Sequence, residues 1–183
     1  MLMGAEMAYT AKDYEKALHI YKQLKDKAAS MERRQLAKTG MLRSAHMLGN
    51  EEEIIFTATD LLADTKLAPE LSNEAHYYRA KAYLDAGKTD GAMEDLKILA
   101  KDTRNVYGAE AKYKVAQIYF DGGQTDKAEQ EVLNYIEVST PHTYWLARSF
   151  VLLADVYMKL GRNLDAKQYL LSLKQNYQAD DDI

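Results

Sequence analysis

The sequence predicts an all-α fold, an α-solenoid of about five antiparallel helix pairs. Three observations predict it. Helix breakers are scarce: the 183 residues include 2 Pro and 9 Gly, and two prolines is about a fifth of average usage at this length. Apolar residues recur at helical spacing, as in His76, Ala80, Tyr83 and Ala86. The chain also repeats itself every 36 to 38 residues, and self-similarity at such a period marks stacked supersecondary units.

The copies can be taken in chain order. The first is degenerate: Ala5, Ala8, Lys12 and Ala17, with Tyr14-Glu15-Lys16-Ala17 opening a second helix. The second, also degenerate, is Leu42, Ala45, Gly49 and Ile54. The third runs from Ala75 to Gly87, with Ala80 and Tyr83 inside it and Ala92 beyond. The fourth runs from Ala111 to Gly123, with Ala116, Tyr119 and then Ala128. The fifth runs from Ser149 to Gly161, with Ala154, Tyr157 and then Ala166. Each of these last three has a small residue, an aromatic three later, a glycine four after that and an alanine five beyond. The anchors Ala17, Ile54, Ala92, Ala128 and Ala166 lie 37, 38, 36 and 38 apart. The predicted units are residues 1–30, 31–68, 69–105, 106–141 and 142–178, one repeat array followed by an acidic tail at 179–183.

Each unit reads as a helical hairpin. The glycine can take the positive φ that ends the first helix. A second amphipathic helix follows, as in Asp90 to Ala100, with Ala92, Met93, Leu96, Leu99 and Ala100 facing inward. Ala80, Ala116 and Ala154 let the paired helices approach closely, Ala92, Ala128 and Ala166 do so from the other side, and Tyr83, Tyr119 and Tyr157 fill the gap below. One such hairpin cannot bury both its apolar faces, whereas stacked hairpins can. The last helix is predicted over Leu164 to Tyr177, and Asp180-Asp181-Asp182 reads as a solvated tail. Met1 falls in mid-pattern, so the chain is expected to be the carboxy-terminal part of a longer array.

The recurring small residue, aromatic, glycine and alanine resemble the tetratricopeptide repeat, well in three units and partly in two. The resemblance implies a right-handed superhelix whose first helices line a concave groove that holds an extended peptide or a partner's helix. There are departures. The family's usual period is about 34 residues, so these longer units should carry an extra half-turn or a longer link after each second helix. Leu61, Leu99, Tyr135 and Leu173 replace a late alanine of the family's second helix, and Arg79 stands where the family usually has leucine. The family's closing proline appears only as Pro69 and Pro141. Units this long resemble those of bacterial envelope proteins, which implies a periplasmic location, with the cytoplasm as the alternative.

Composition narrows the functions. With 24 basic and 28 acidic residues the net charge is -4, which argues against a general nucleic-acid binder. There is no cysteine, hence no thiol chemistry and no zinc ribbon. Apolar runs such as Phe150-Val151-Leu152-Leu153-Ala154 are far shorter than the roughly 20 residues of a membrane span. None of His19, His46, His76 and His142 forms a metal-binding pair. His76 is expected to be a satisfied packing residue, and His142 follows Pro141 with no local partner. Gly87-Lys88-Thr89 lacks the earlier glycine of a phosphate loop, since Ala82 stands there. Asp121 to Asp126 lacks the ligand offsets of a calcium loop and reads as a hairpin turn, capped by Thr125 or Asp126. Glu51-Glu52-Glu53 opens a helix, where acidic side chains suit the dipole. No nucleophile, base and oxyanion site can be assembled. No catalytic, cofactor or metal residue is therefore assigned, and no small-molecule substrate is inferred.

The candidate binding face lies opposite the buried stripe of the first helices. It carries Glu74, Tyr77, Tyr78, Lys81 and Asp85. The equivalent positions one unit on are Glu110, Tyr113, Lys114, Gln117 and Asp121 beside Phe120, and in the last unit Arg148, Val151, Leu152, Asp155 and Lys159. Tyr77, Tyr78, Lys81, Tyr113, Lys114, Gln117, Phe120, Arg148 and Asp155 are the predicted partner-binding residues, because tyrosine and arginine are favoured interface anchors. The alternative is that these tyrosines pack against the neighbouring first helix. The family's terminal-carboxylate clamp needs Lys and Asn a turn apart, which Tyr77 with Lys81 and Tyr113 with Gln117 do not supply. The expected function is a non-catalytic scaffold for a protein or peptide partner. The alternatives are a self-assembly module stacking through its open end and a docking arm of a larger protein.

Overall fold

The computed structural model describes residues 1–183, which form ten α-helices and no strand. They are α1 (Leu2–Thr10), α2 (Tyr14–Asp26), α3 (Met31–Met47), α4 (Glu51–Leu62), α5 (Pro69–Asp85), α6 (Thr89–Leu99), α7 (Val106–Asp121), α8 (Thr125–Glu137), α9 (Thr143–Lys159) and α10 (Asn163–Asn176). None is long and apolar enough to cross a membrane. Odd-numbered helices are the first members, and even-numbered helices the second members, of five hairpins.

Every hairpin turns through three residues, at 11–13, 48–50, 86–88, 122–124 and 160–162. Gly49, Gly87, Gly123 and Gly161 have positive φ at these turns, and in the first hairpin the same position is Lys12, with φ 62°. Lys12 is the residue that aligned with the glycines, so the turn geometry persists where its favoured residue does not. A side chain with a Cβ pays roughly 1–2 kcal/mol in this conformation. The links between hairpins are longer and uneven, at 27–30, 63–68, 100–105 and 138–142.

Capping is local and side-chain based at four starts. Asp13, Ser30, Asn50 and Asn105 each accept from a backbone N–H in the first turn of the following helix. The expected Thr125 or Asp126 cap is not formed. Gln124 occupies the N-cap position without a side-chain capping bond, and the Thr125 hydroxyl donates back to the Gly123 carbonyl. At α7, Asn105 accepts from the Gly108 N–H at 2.8 Å, and this first turn lies so close to the preceding link that a Cβ on Gly108 would sit 1.9 Å from the Asp102 carbonyl oxygen.

The chain forms two compact units, Met1–Asp95 and Leu96–Ile183, the division falling inside α6. In the first unit α2 packs on α1 and α3, α4 packs on α3 and α5, and the first helices α1, α3 and α5 also touch. In the second, α8 packs on α7 and α9, α10 packs on α9, and α7 touches α9. The repeat's small positions are its core. Ala8, Ala45, Ala80, Ala116 and Ala154 of the first helices are buried, as are Ala17, Ile54, Ala92, Ala128 and Ala166 of the second. Tyr157 is buried, while Tyr83 and Tyr119 are half-buried, the latter with the Lys97 and Lys127 ammonium groups 5.5 and 5.4 Å from its ring. Ala86 is exposed rather than on the inward stripe, because it belongs to the turn that Gly87 closes.

Candidate functional site

In the first unit the predicted face is largely taken up by the contact between α3 and α5. Glu74 is buried and receives Arg43 Nε at 2.6 Å and Nη2 at 2.8 Å. That pairing raises the Arg43 pKa above its already high value. Tyr78 is half-buried and stacks on His46 of α3, with ring centroids 4.2 Å apart. Burial first, and then the nearby Lys81, lower the His46 pKa. Tyr77 lies 5.7 Å from Tyr78, and the exposed Lys81 ammonium sits 5.4 Å from the Tyr77 ring. A cleft of about 400 Å³ beside Glu6, Tyr9, Tyr21, Gly40 and Arg43 had no counterpart in the sequence reading. Its floor is tight: a Cβ on Gly40 would meet the Tyr21 ring at 2.4 Å. A glycine in mid-helix was the one signal that pointed there.

The same unit holds a buried carboxylate that periodicity alone did not disclose. Asp95 of α6 is 1% exposed. It accepts from His76 Nδ1 at 2.7 Å and from Arg79 Nε and Nη2 at 2.8 and 2.7 Å. An ionised carboxylate only accepts, so His76 carries its proton on Nδ1. Arg79 also donates to Thr59 Oγ1 at 3.0 Å. Burial pushes the Asp95 pKa up, but the hydrogen bonds from Arg79 and His76 outweigh it and leave the pKa below its ordinary value. The leucine-to-arginine departure at Arg79 thus has a partner, and His76 is a satisfied packing residue as expected. The cluster is enclosed by its own hairpin and Thr59, which marks it as structural rather than as a site for a ligand.

In the second unit, α7 and α9 bring four of the predicted residues together. Tyr113, Gln117, Arg148 and Asp155 line one cavity of about 450 Å³ with Val151 and Leu152. Tyr113 is buried, and its hydroxyl donates to Gln117 Oε1 at 2.7 Å; Gln117 Nε2 donates in turn to Asp121 Oδ1 at 2.9 Å. Its packing therefore fixes the cavity wall. Arg148 lies over two rings, 5.4 Å from Tyr113 and 5.9 Å from Tyr144. It donates to both hydroxyls, at 3.5 Å to Tyr113 and 3.2 Å to Tyr144. Those bonds raise its pKa, so the cation is permanent. Trp145 stands beside both tyrosines, with ring centroids at 5.6 Å to Tyr113 and 5.0 Å to Tyr144.

Phe120 is half-buried with the Lys159 ammonium 4.9 Å from its ring, and the Lys114 ammonium lies 5.8 Å from the Tyr113 ring. Both residues stand beside the cavity rather than in its lining. Tyr144 lies outside the predicted set, although its place four residues before Arg148 puts the two on one face of α9. His142 has no partner nearby in sequence, but its Nε2 is 3.0 Å from the Arg104 carbonyl oxygen, 38 residues earlier. Asp182 of the tail is not merely solvated: its carboxylate is held by Arg148 and Tyr144. Chemically, the cavity offers a fixed cation with the Tyr144 hydroxyl bonded beside it, the exposed carboxylate of Asp155 and an aliphatic wall.

Residues 74–102 and residues 147–175 each match the tetratricopeptide repeat family. No curated protein matches the sequence. A crystal structure of MamA superimposes with a TM-score of 0.73 at 20% identity, covering 93% of this chain and 92% of that one. Nearly identical TPR-like repeats from Podosopora anserina give 0.64 at 19% identity, covering 93% and 90%. BtubC (BKLC) from P. vanneervenii gives 0.67 at 13% identity, covering 98% and 81%. At these identities the likeness is one of fold.

Proposed function

We propose that this chain, an all-α solenoid with two stretches that match the tetratricopeptide repeat, is a scaffold whose second unit holds an extended segment of a partner protein against α7 and α9. The fold is typically that of a non-catalytic interaction module. The observation that carries the groove assignment is the cavity of about 450 Å³ between Gln117, Arg148 and Asp155. It combines an arginine anchor with aromatic and aliphatic walls, the residue types that dominate interface energetics. Lys114 and Phe120 extend the same face. On α5 of the first unit, Tyr77 and Lys81 offer a separate patch, with Tyr78 serving mainly to hold α3 and α5 together.

Selection of a displayed peptide library on the whole chain tests this reading. Selected peptides should lose at least tenfold in affinity on Arg148→Glu, a charge-assisted contact being worth about 1.5–3 kcal/mol, while helicity by circular dichroism is retained. Peptides that bind the variant unchanged would reject the groove.

A second reading, self-association, is favoured by the apolar residues exposed at the outer helices. Met3 and Met7 on α1 are 74% and 67% exposed, and Leu164 on α10 is 79% exposed. Light scattering across concentration tests it: mass should rise with concentration and stop rising in Leu164→Glu. A constant monomer mass removes this reading and leaves the groove untouched.

A further inference from the structure

The chain places its own carboxy-terminal segment in the cavity. Tyr177 leaves α10 with φ -105° and ψ 122°, an extended conformation. Its hydroxyl donates to Asp181, and Asp181 Oδ1 accepts from the Ile183 N–H at 3.1 Å. This turn delivers Asp182 to α9. Tyr144 donates to its Oδ1 at 3.0 Å and Arg148 Nη1 to its Oδ2 at 2.9 Å. Asp182 and Ile183 then line the same cavity as Gln117, Val151 and Asp155. The contact uses the cation and the phenol that would otherwise be open to a partner.

It is also weakly held. The side chains are 34% exposed for Arg148 and 64% for Asp182, and ion pairs this open contribute little. A segment seated by complementary chemistry, yet held loosely, is suited to be displaced.

We propose that residues 179–183 are an intramolecular competitor for this cavity, and that the partner segment accepted there shares their chemistry, an acidic side chain followed by an aliphatic one. The proposal rests on the groove reading above and narrows it. The carboxylate goes to Arg148 and Tyr144, and the aliphatic side chain goes to the wall of Val151 and Leu152. A partner must displace the tail, so its apparent affinity is lowered by the fraction of chains with the tail docked.

The probe is a fluorescein-labelled hexapeptide copying Gln178 to Ile183, amidated so that only side chains are read, with binding followed by anisotropy. It is titrated with the full chain and with a chain ending at Gln178, which removes exposed residues outside every helix. An open ion pair favours the docked tail by a factor of about 1.5 to 5, so the shortened chain should bind about two- to six-fold more tightly. Asp182→Asn in the full chain should move affinity the same way. Arg148→Met in the shortened chain should weaken binding by about 1.5- to 5-fold, the value of the open ion pair. Equal affinities for full and shortened chains, or indifference to Arg148→Met, would overturn the proposal. If library-selected peptides still depend on Arg148 while tail removal changes nothing, the competitor fails and the groove stands. If neither kind of peptide responds to Arg148, both fail.

Discussion

Replacing Asp95 by asparagine keeps the shape of the side chain and removes its charge. In the native hairpin three donor atoms converge on this carboxylate, His76 Nδ1, Arg79 Nε and Arg79 Nη2, all within 2.8 Å. An amide has one accepting oxygen, and its NH2 would face one of these donors. The guanidinium of Arg79, 18% exposed, would lose its charge partner and at least one of its two bonds to residue 95. Breaking a buried pair by removing one partner costs about 3–5 kcal/mol; partial exposure of Arg79 puts the expected loss near 3 kcal/mol. With a urea m-value of ~2–3 kcal/mol per molar, the midpoint should fall by roughly 1–1.5 M, read by circular dichroism at the helical band. The acid limb should change as well. Because the Asp95 pKa is depressed in the fold, its stabilisation is present above the ordinary carboxylate pKa and is lost as pH falls through the lower, folded value. The asparagine variant should lack that contribution to the acid slope. The triple replacement His76→Leu, Arg79→Leu, Asp95→Leu removes every member of the cluster and should return to within about 1 kcal/mol of the parent. A loss below about 1 kcal/mol for Asp95→Asn would show that water reaches these donors and would refute the argument.

Other outcomes follow from the turns, the links and the buried phenols. Lys12→Gly should stabilise the chain by up to about 1 kcal/mol in urea melts, relief of the positive φ exceeding the added freedom of the unfolded chain. Gly123→Ala should destabilise by about 1 kcal/mol at the corresponding turn. Gly108→Ala should cost more than either, beyond about 2 kcal/mol, because the new Cβ meets the Asp102 carbonyl backbone rather than a movable side chain; hydrogen exchange should rise at the start of α7. In alkali, the Tyr157 pKa is pushed up to about 12, first by burial and then by Glu129. Tyr9, Tyr21 and Tyr135 shift in the same direction, chiefly through burial. Their contribution is whole below pH ~10 and is lost as pH rises toward 12, so melting temperature should fall across that window, and less steeply in Tyr157→Phe.

The hairpins were legible because their determinants are local and repeated. Ala80 and Ala92, or Ala116 and Ala128, recur at a fixed offset and carry the close approach of paired helices. The positive-φ turn could be placed even at Lys12, where composition gave no hint, because its neighbours kept the spacing. Asp95 was not legible for the opposite reason. Amphipathic periodicity treats a charge as outward, and only the three-dimensional meeting with Arg79, sixteen residues earlier, makes it an inward one. Arg79 itself stood out against the family pattern, which was half of that signal. The face on α5 divides for a related reason: whether Tyr78 serves a partner or the neighbouring helix depends on where His46 lies. The seat of Asp182 on Arg148 joins residues 34 apart, and an acidic tail looks the same in sequence whether it is docked or free.

The links of the second unit have a mechanical meaning. Thr140 Oγ1 donates to the Thr103 carbonyl at 2.8 Å, and His142 Nε2 meets the Arg104 carbonyl at 3.0 Å. The two links at 100–105 and 138–142 are thus stitched along one edge. Each stitch is worth about 1 kcal/mol, small against burial, but it joins two separate links directly. Separating the link ends therefore requires breaking oriented, short-range bonds before the alanine-lined interior begins to part. Under tension this edge should behave as a stiff hem, yielding in a step rather than stretching smoothly.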